Sequence, residues 1–286
     1  MSRMISLTLF AHRRSRLRHF PRLQRWLRRV YLQQRSWAIR LDDDMILCRV
    51  LGRFKLFADP QDRSISPHLM MDGYWEPRTT ETIVDLMRRG MVAIDVGANL
   101  GYFTLLMAGL AGEKGRVLSF EPNPRTAKRL QASVMLSGFQ DRVDFHPVVL
   151  GDSDGKEINL LLSVDHPGGT HVTALTPDNS TTFLTARTRR LDGIAGALDA
   201  TLVKIDAEGA EEAIWHGMTA MIAGKALRYV IVEFSPSAYK DPAGLLDEVE
   251  AAGFTISCID DERSICPISR AEILDGTPQR MLIFQR

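Results

Sequence analysis

Apolar and polar positions along this chain fall into two rhythms. From residue 91, short apolar runs alternate with stretches whose apolar residues recur at helical spacing. MVAIDV (91–96) reads as a strand, with a helix starting near residue 101. RVLSFE (116–121) is a strand, NPRTAKRLQASVMLSG (123–138) a helix and RVDFHPVVL (142–150) a strand. TLVKIDA (201–207) and RYVIVEF (228–234) are strands, followed by helices over 209–224 and 241–253. FTISCID (254–260) and RMLIFQR (280–286) are late strands. Residues 151–190 break the rhythm with Gly-Asp turns and short Thr-rich pieces. Strand–helix alternation of this kind predicts an α/β fold, a mainly parallel sheet with helices on both faces.

The first 90 residues read differently. Leu17, Phe20, Leu23, Trp26, Leu27, Val30 and Tyr31 recur at helical spacing with arginines between them, and Pro21 suits a first turn or a break. Residues 1–35 thus read as a basic amphipathic segment, holding ten arginines and no carboxylate. Three roles are open to it: docking on the domain, lying on an anionic membrane surface, or contacting a partner. No RNA- or DNA-reading module accompanies it, so nucleic acid is not taken as a partner. Residues 36–90 read as a hairpin (MILCRV, RFKLFA) and a helix after Pro77, an extension that is a candidate lid on the domain of residues 91–286.

Composition changes this picture little. At 45% hydrophobic, 25% charged and net charge +1, the chain is ordinary for a soluble globule. Its longest apolar run, FTLLMAGLAG (103–112), is about half of what spans a bilayer. No small-residue cleavage site follows ISLTLF, which argues against a secretory signal. Cys48, Cys258 and Cys266 form no ligand pattern along the chain, which suits a reducing compartment. The expected location is the cytoplasm, with peripheral membrane contact open through residues 1–35. The oligomeric state has no signature in the sequence.

The chemistry concentrates at strand ends. After the strand at 91–96 comes Asp95-Val96-Gly97-Ala98-Asn99-Leu100-Gly101. Gly97 suits a tight turn and Gly101 a close helix start, with backbone N–H groups facing a ligand. Glu121 ends the next strand, where a carboxylate takes both hydroxyls of a ribose. NAD and S-adenosylmethionine both carry that ribose. A dinucleotide needs closely spaced glycines under its pyrophosphate, and Asp95 would repel it. An acidic rim suits the amine and sulfonium of S-adenosylmethionine. Asp152 is placed to accept from the adenine amino group, or is a turn residue beside Gly151. Phe120 and Leu150 are candidates to line the base.

A second acidic group follows in KIDAEGAE (204–211). Asp206 ends an apolar strand beside the presumed cofactor, and Glu233 ends the neighbouring strand. Lys204 sits in a buried-looking strand and needs an acid partner. Asp206 or Glu233 is placed to orient or deprotonate an acceptor hydroxyl, and His171 is the other candidate base. Asp206, Glu208 and Glu233 are the oxygen ligands for a divalent cation, if one is used. Tyr74, Trp75 and Glu76 are candidates for a substrate wall, as is Glu208. His146 and His216 read as structural.

IDVGANLGYFT (94–104), FEPNP (120–124) and KIDAEGAEEAIWHG (204–217) together resemble the FkbM family of S-adenosylmethionine-dependent methyltransferases. GYWEP (73–77) resembles a stretch that often precedes their domain. The resemblance implies a class I methyltransferase fold: a Rossmann-like three-layer sandwich on a seven-stranded sheet, order 3-2-1-4-5-7-6, the last strand antiparallel. It implies methyl transfer to a hydroxyl oxygen of a sugar, polyketide, lipid-linked or other small acceptor. By it, Asp95, Gly97, Asn99 and Gly101 belong to the cofactor loop, Glu121 takes the ribose, and Asp206 with Glu208 sits at the transfer end. Two other readings stand beside it: an NAD-dependent oxidoreductase, and a non-catalytic binding or scaffold protein on the same fold.

Overall fold

The structure is a computed structural model that describes residues 21–162, 171–173, 183–260, 264–275 and 279–286. It opens with helix α1 (Pro21–Arg35) and an antiparallel sheet of β1 (Ala38–Arg40), β2 (Ile46–Val50) and β3 (Phe54–Ala58). Helices α2 (Ser66–Met71) and α3 (Pro77–Leu86) follow. The expected hairpin is therefore three-stranded. Pro77 starts α3 as its first residue, where its missing N–H costs nothing.

The main sheet is built from β4 (Val92–Val96), β5 (Arg116–Phe120), β6 (Val143–His146), β11 (Ala200–Ile205), β12 (Tyr229–Phe234), β13 (Thr255–Asp260), β14 (Ser264–Pro267) and β15 (Arg280–Gln285). Across the sheet they run β14-β13-β15-β12-β11-β4-β5-β6. The five strands β6, β5, β4, β11 and β12 are parallel, and β15 is antiparallel to both of its neighbours. The sheet has eight strands rather than the seven expected. The addition is β14, which folds back on β13 at the outer edge. Its four residues are too few to show a period in the sequence.

Helices α4 (Tyr102–Ala111) and α5 (Pro124–Leu136) cover one face, together with α3 and the N-terminal sheet. Helices α6 (Glu211–His216), α7 (Thr219–Ala223), α8 (Pro242–Ala251) and α9 (Arg270–Leu274) cover the other. Two apolar layers thus sandwich the sheet, which explains why its strands read as nearly continuous hydrophobic runs. One expected helix, 209–224, is two short helices bent at Gly217. A Cβ at Gly217 would lie 2.1 Å from the Gly151 carbonyl oxygen.

The N-terminal sheet is bolted to α5 by charge. Asp59, fully buried, pairs with Arg125 and with Arg129, which is 1% exposed. The part of α1 whose side chains are described docks on the body: Leu32 is buried and Arg28 pairs with Glu81 at 2.7 Å. Among the described residues, no helix is long and apolar enough to cross a membrane.

Pro147 ends β6, and β7 (Val149–Leu150) leaves the main sheet. It pairs with β10 (Phe183–Arg189), which joins β8 (Glu157–Leu161) and β9 (His171–Thr173) in a second small sheet, order β7-β10-β8-β9. The 142–150 strand is therefore two strands serving two sheets.

Candidate active site

The carboxyl ends of β4, β5 and β11 open into a shallow cleft. Its lining includes Gly97, Phe120, Glu121, Asp206 and Glu208. The topology changes direction between β4 and β11, the place where ligands bind in open α/β sheets.

Backbone packing shapes the first loop. Gly97 (φ +71°) lies so close to the loop after β11 that a Cβ would fall 1.7 Å from the Asp206 carbonyl oxygen. No other residue fits there. Gly97 and Ala98 both donate their N–H to the Phe120 carbonyl. Asn99 takes a left-handed conformation (φ +49°), which asparagine tolerates better than most side chains. At Gly101 (φ +91°) a Cβ would stand 3.0 Å from Leu130 of α5.

Two buried glutamates clamp the two loops in the same way. Glu121 accepts from the Asn99 N–H at 2.9 Å and the Asn123 N–H at 2.8 Å. Burial pushes its carboxyl up to about 7. Glu211 accepts from the N–H groups of Ala207 (2.7 Å) and Gly209 (3.2 Å). Glu211 stands in the first turn of α6.

The Asp95 expectation needs correcting. Asp95 is fully buried beneath its loop rather than on the rim. Thr104 donates to Asp95 Oδ2 at 2.6 Å, while Oδ1 has no protein partner. Burial raises its carboxyl despite the nearby Lys204. Lys204, paired in register with Asp95, is 1% exposed. Its ammonium donates to Asp206 Oδ2 at 2.9 Å and stands 4.8 Å from the Phe103 ring centroid. Burial disfavours that charge, but Asp206, Asp95 and Glu76 outweigh it and hold the ammonium well above its usual range.

Asp206 is half-buried; its desolvation raises its carboxyl, but Lys204 overcomes this and keeps it below the usual range. Glu233 hydrogen-bonds to Asp206. Burial and the Asp206 charge push Glu233 up to about 9, so at neutral pH it holds a proton and donates it to Asp206. The result is a line of groups, Lys204 ammonium, Asp206 carboxylate and Glu233 carboxylic acid, of which Asp206 lines the cleft. Glu208, exposed and left-handed (φ +50°), stands above it. The divalent-cation expectation concerned Asp206, Glu208 and Glu233, whose ligand atoms do not form a convergent group among the described residues; Asp206 pairs instead with Lys204.

Glu76 joins this cluster from the N-terminal extension, as the cap of α3. Its backbone is left-handed (φ +39°), its Oε2 is buried without a partner, and burial raises its carboxyl against the pull of Lys204. The two aromatic residues before it do not join. Tyr74 is 8% exposed in the core, its hydroxyl directed at the Pro77 carbonyl, because apolar bulk outweighs one hydroxyl. Trp75 packs against His68, ring centroids 5.1 Å apart. Neither lines the cleft among the described residues.

Asp152 also lies outside the lining: it accepts from Ser153 at 2.7 Å, and that bond lowers its carboxyl. The wall at this end comes from Val149, Leu150 and Leu160, the last supplied by β8, which no sequence period had suggested. His171 starts β9 opposite Leu161, and its side chain lies outside the described residues.

A Rossmann-like sheet, a glycine loop at the switch point and an acid on the next strand form the frame of a site for a ribose-bearing cofactor. The chain belongs to the methyltransferase FkbM domain family, whose profile matches residues 95–256, and is thereby an S-adenosylmethionine-dependent enzyme. No curated protein matches it closely enough to count as a relative. Among solved structures it is similar to an S-adenosylmethionine-dependent O-methyltransferase from Thermotoga maritima: 14% identity, TM-score 0.44, 84% of this chain and 77% of that one. It is also similar to precorrin-6y C5,15-methyltransferase from Geobacter metallireducens: 14% identity, TM-score 0.39, 74% and 89% coverage.

Proposed function

We propose that the chain transfers a methyl group to a hydroxyl oxygen of a small-molecule or glycan acceptor. The observation that carries this reading is the Lys204–Asp206–Glu233 line, which meets the cleft at Asp206. The donor, when bound, supplies a methyl group activated on a sulfonium. The residues fit such a ligand. Glu121 has lone pairs left after its two backbone bonds and takes the ribose hydroxyls. Phe120, Leu150 and Leu160 offer the base an apolar wall. Asp95 Oδ1 is the buried oxygen left for the ligand's amine, directly or through water.

Asp206 accepts the acceptor hydroxyl's hydrogen and aims the oxygen. A carboxylate of low basicity does not deprotonate a free alcohol. As the oxygen forms its bond to carbon, its proton becomes strongly acidic, and Asp206 then suffices to take it. Lys204 keeps Asp206 ionised, and Glu233 fixes its orientation while protonated. Glu208 and Glu76 border the acceptor side.

Calorimetry with S-adenosylhomocysteine and NAD tests the donor. Binding of the former alone is expected, weakened roughly 10–150-fold by Glu121→Ala through loss of charge-assisted hydrogen bonds. Binding of NAD instead would sink the proposal.

Glu233 supplies a pH prediction. Its folded pKa, about 9, lies above the ordinary 4.5, so between those values the native state holds a proton that the unfolded chain has released. This contribution makes stability fall as pH rises through that window. Glu233→Gln removes the titration and keeps a donor for Asp206. Its melting temperature is expected to gain on the wild type from pH 5 toward pH 9. A constant difference across that range would show that Glu233 titrates normally.

A further inference from the structure

A second cluster of metal-ligating side chains lies at the sheet edge. Cys258 of β13 and Cys266 of β14 face each other directly across the antiparallel pair. They stand eight positions apart in sequence, and the pairing of β13 with β14 brings them together. Asp260 lies two residues beyond Cys258, which places it on the same face of the strand. Cys266 Sγ donates to Asp260 Oδ2 at 3.1 Å. The three ligand atoms lie within 4.8 Å of one another. Neither cysteine is in a disulfide, both are buried, and Asp260 is half-buried, which leaves the cluster an approach from one side.

We infer that Cys258, Cys266 and Asp260 form a binding site for a thiophilic divalent cation of the zinc type. Zinc bonds of about 2.3 Å to sulfur and 2.0–2.2 Å to oxygen set tetrahedral ligand atoms roughly 3.5–3.8 Å apart. The cluster needs only small side-chain adjustments to reach that. Two sulfurs favour zinc over magnesium or calcium, which take oxygen ligands. A water completes the fourth position from the open side. Ligation displaces the thiol protons, so affinity weakens as pH falls. None of the three residues lines the cleft, so the site is structural. It staples the outermost strand to the sheet, where an edge is otherwise loosely held.

The test uses the full-length protein, reduced and stripped with a chelator, titrated with cobalt(II) and then zinc(II). One equivalent of cobalt is expected to give a thiolate-to-metal charge-transfer band. Zinc displaces it, and excess magnesium does not. Cys258→Ser and Cys266→Ser are expected to abolish the band. Asp260→Asn, at a half-buried position that tolerates the change, should weaken binding by at least the roughly 10–100-fold typical of losing even an outer partner. Zinc should raise the melting temperature of the wild type and leave the serine variants unchanged. Folded wild-type protein without the band would overturn the inference. So would a band that survives both serine changes, or an intact mass lighter by two hydrogens before reduction, the mark of a Cys258–Cys266 disulfide.

Discussion

Lys204→Met is expected to destabilise the protein by about 3–5 kcal/mol, the cost of removing one partner from a buried ion pair. Methionine fills much of the lysine's volume, so the loss is electrostatic rather than a cavity effect. Lys204 is 1% exposed and faces three carboxyls, those of Asp206, Asp95 and Glu76. Without the ammonium, these acids lose the cation that they surround. Each is forced to take up a proton or bear an uncompensated charge.

The pH dependence follows from the two shifts. Asp206 is depressed below 3.8, so its share of the stability is present above that value and lost as pH falls through the folded pKa. Lys204 is raised above 10.5, so its share is complete below 10.5 and lost as pH rises through the folded pKa. The variant's deficit should therefore be largest between roughly pH 4 and 10 and shrink at stronger acid. Urea denaturation at several pH values measures it. A deficit below about 1 kcal/mol at pH 7, the worth of an exposed pair, would mean that the cluster does not depend on its cation.

Asp206→Asn is expected to cut turnover by about 10²–10⁴-fold, the usual contribution of a positioned acid–base group. S-adenosylhomocysteine affinity should stay within a few-fold, because the proposed ribose and base contacts lie on Glu121 and the Phe120–Leu150 wall. The amide keeps an acceptor for the Lys204 ammonium, and Asp95 and Glu76 still surround that charge. Stability should thus fall less than in Lys204→Met. The comparison of turnover against affinity is decisive. Parallel loss of both would make Asp206 a residue of the loop scaffold, since its carbonyl already packs on Gly97. Unchanged turnover would remove it from the chemistry.

The strand-end chemistry was legible because it is local. Gly97, Glu121 and Asp206 each sit where an apolar run stops, and a period of two or 3.6 shows where that is. Other parts had no local signal. Glu76 and Lys204 are 128 positions apart. They meet only because a left-handed residue at the head of α3 turns Glu76 inward. Tyr74 and Trp75 were misread because adjacency to Glu76 says nothing about direction, and the core took Tyr74. The cysteines looked unpatterned until β14 paired with β13, since register across a hairpin does not appear in linear spacing. Leu160 reached the cleft through a second sheet whose strands are short and weakly periodic.

The sequence by itself determined the alternation of strands and helices, the glycine loop and the acids that end the strands. Those features need only a residue and its near neighbours. Tertiary structure decided which acids are ionised. Asp206 and Glu233 look alike as strand-end carboxylates, yet one is held anionic by a buried ammonium and the other is driven by burial to keep its proton. Protonation depends on solvent exclusion and on charges a few ångströms away, and both are set by which strands lie side by side.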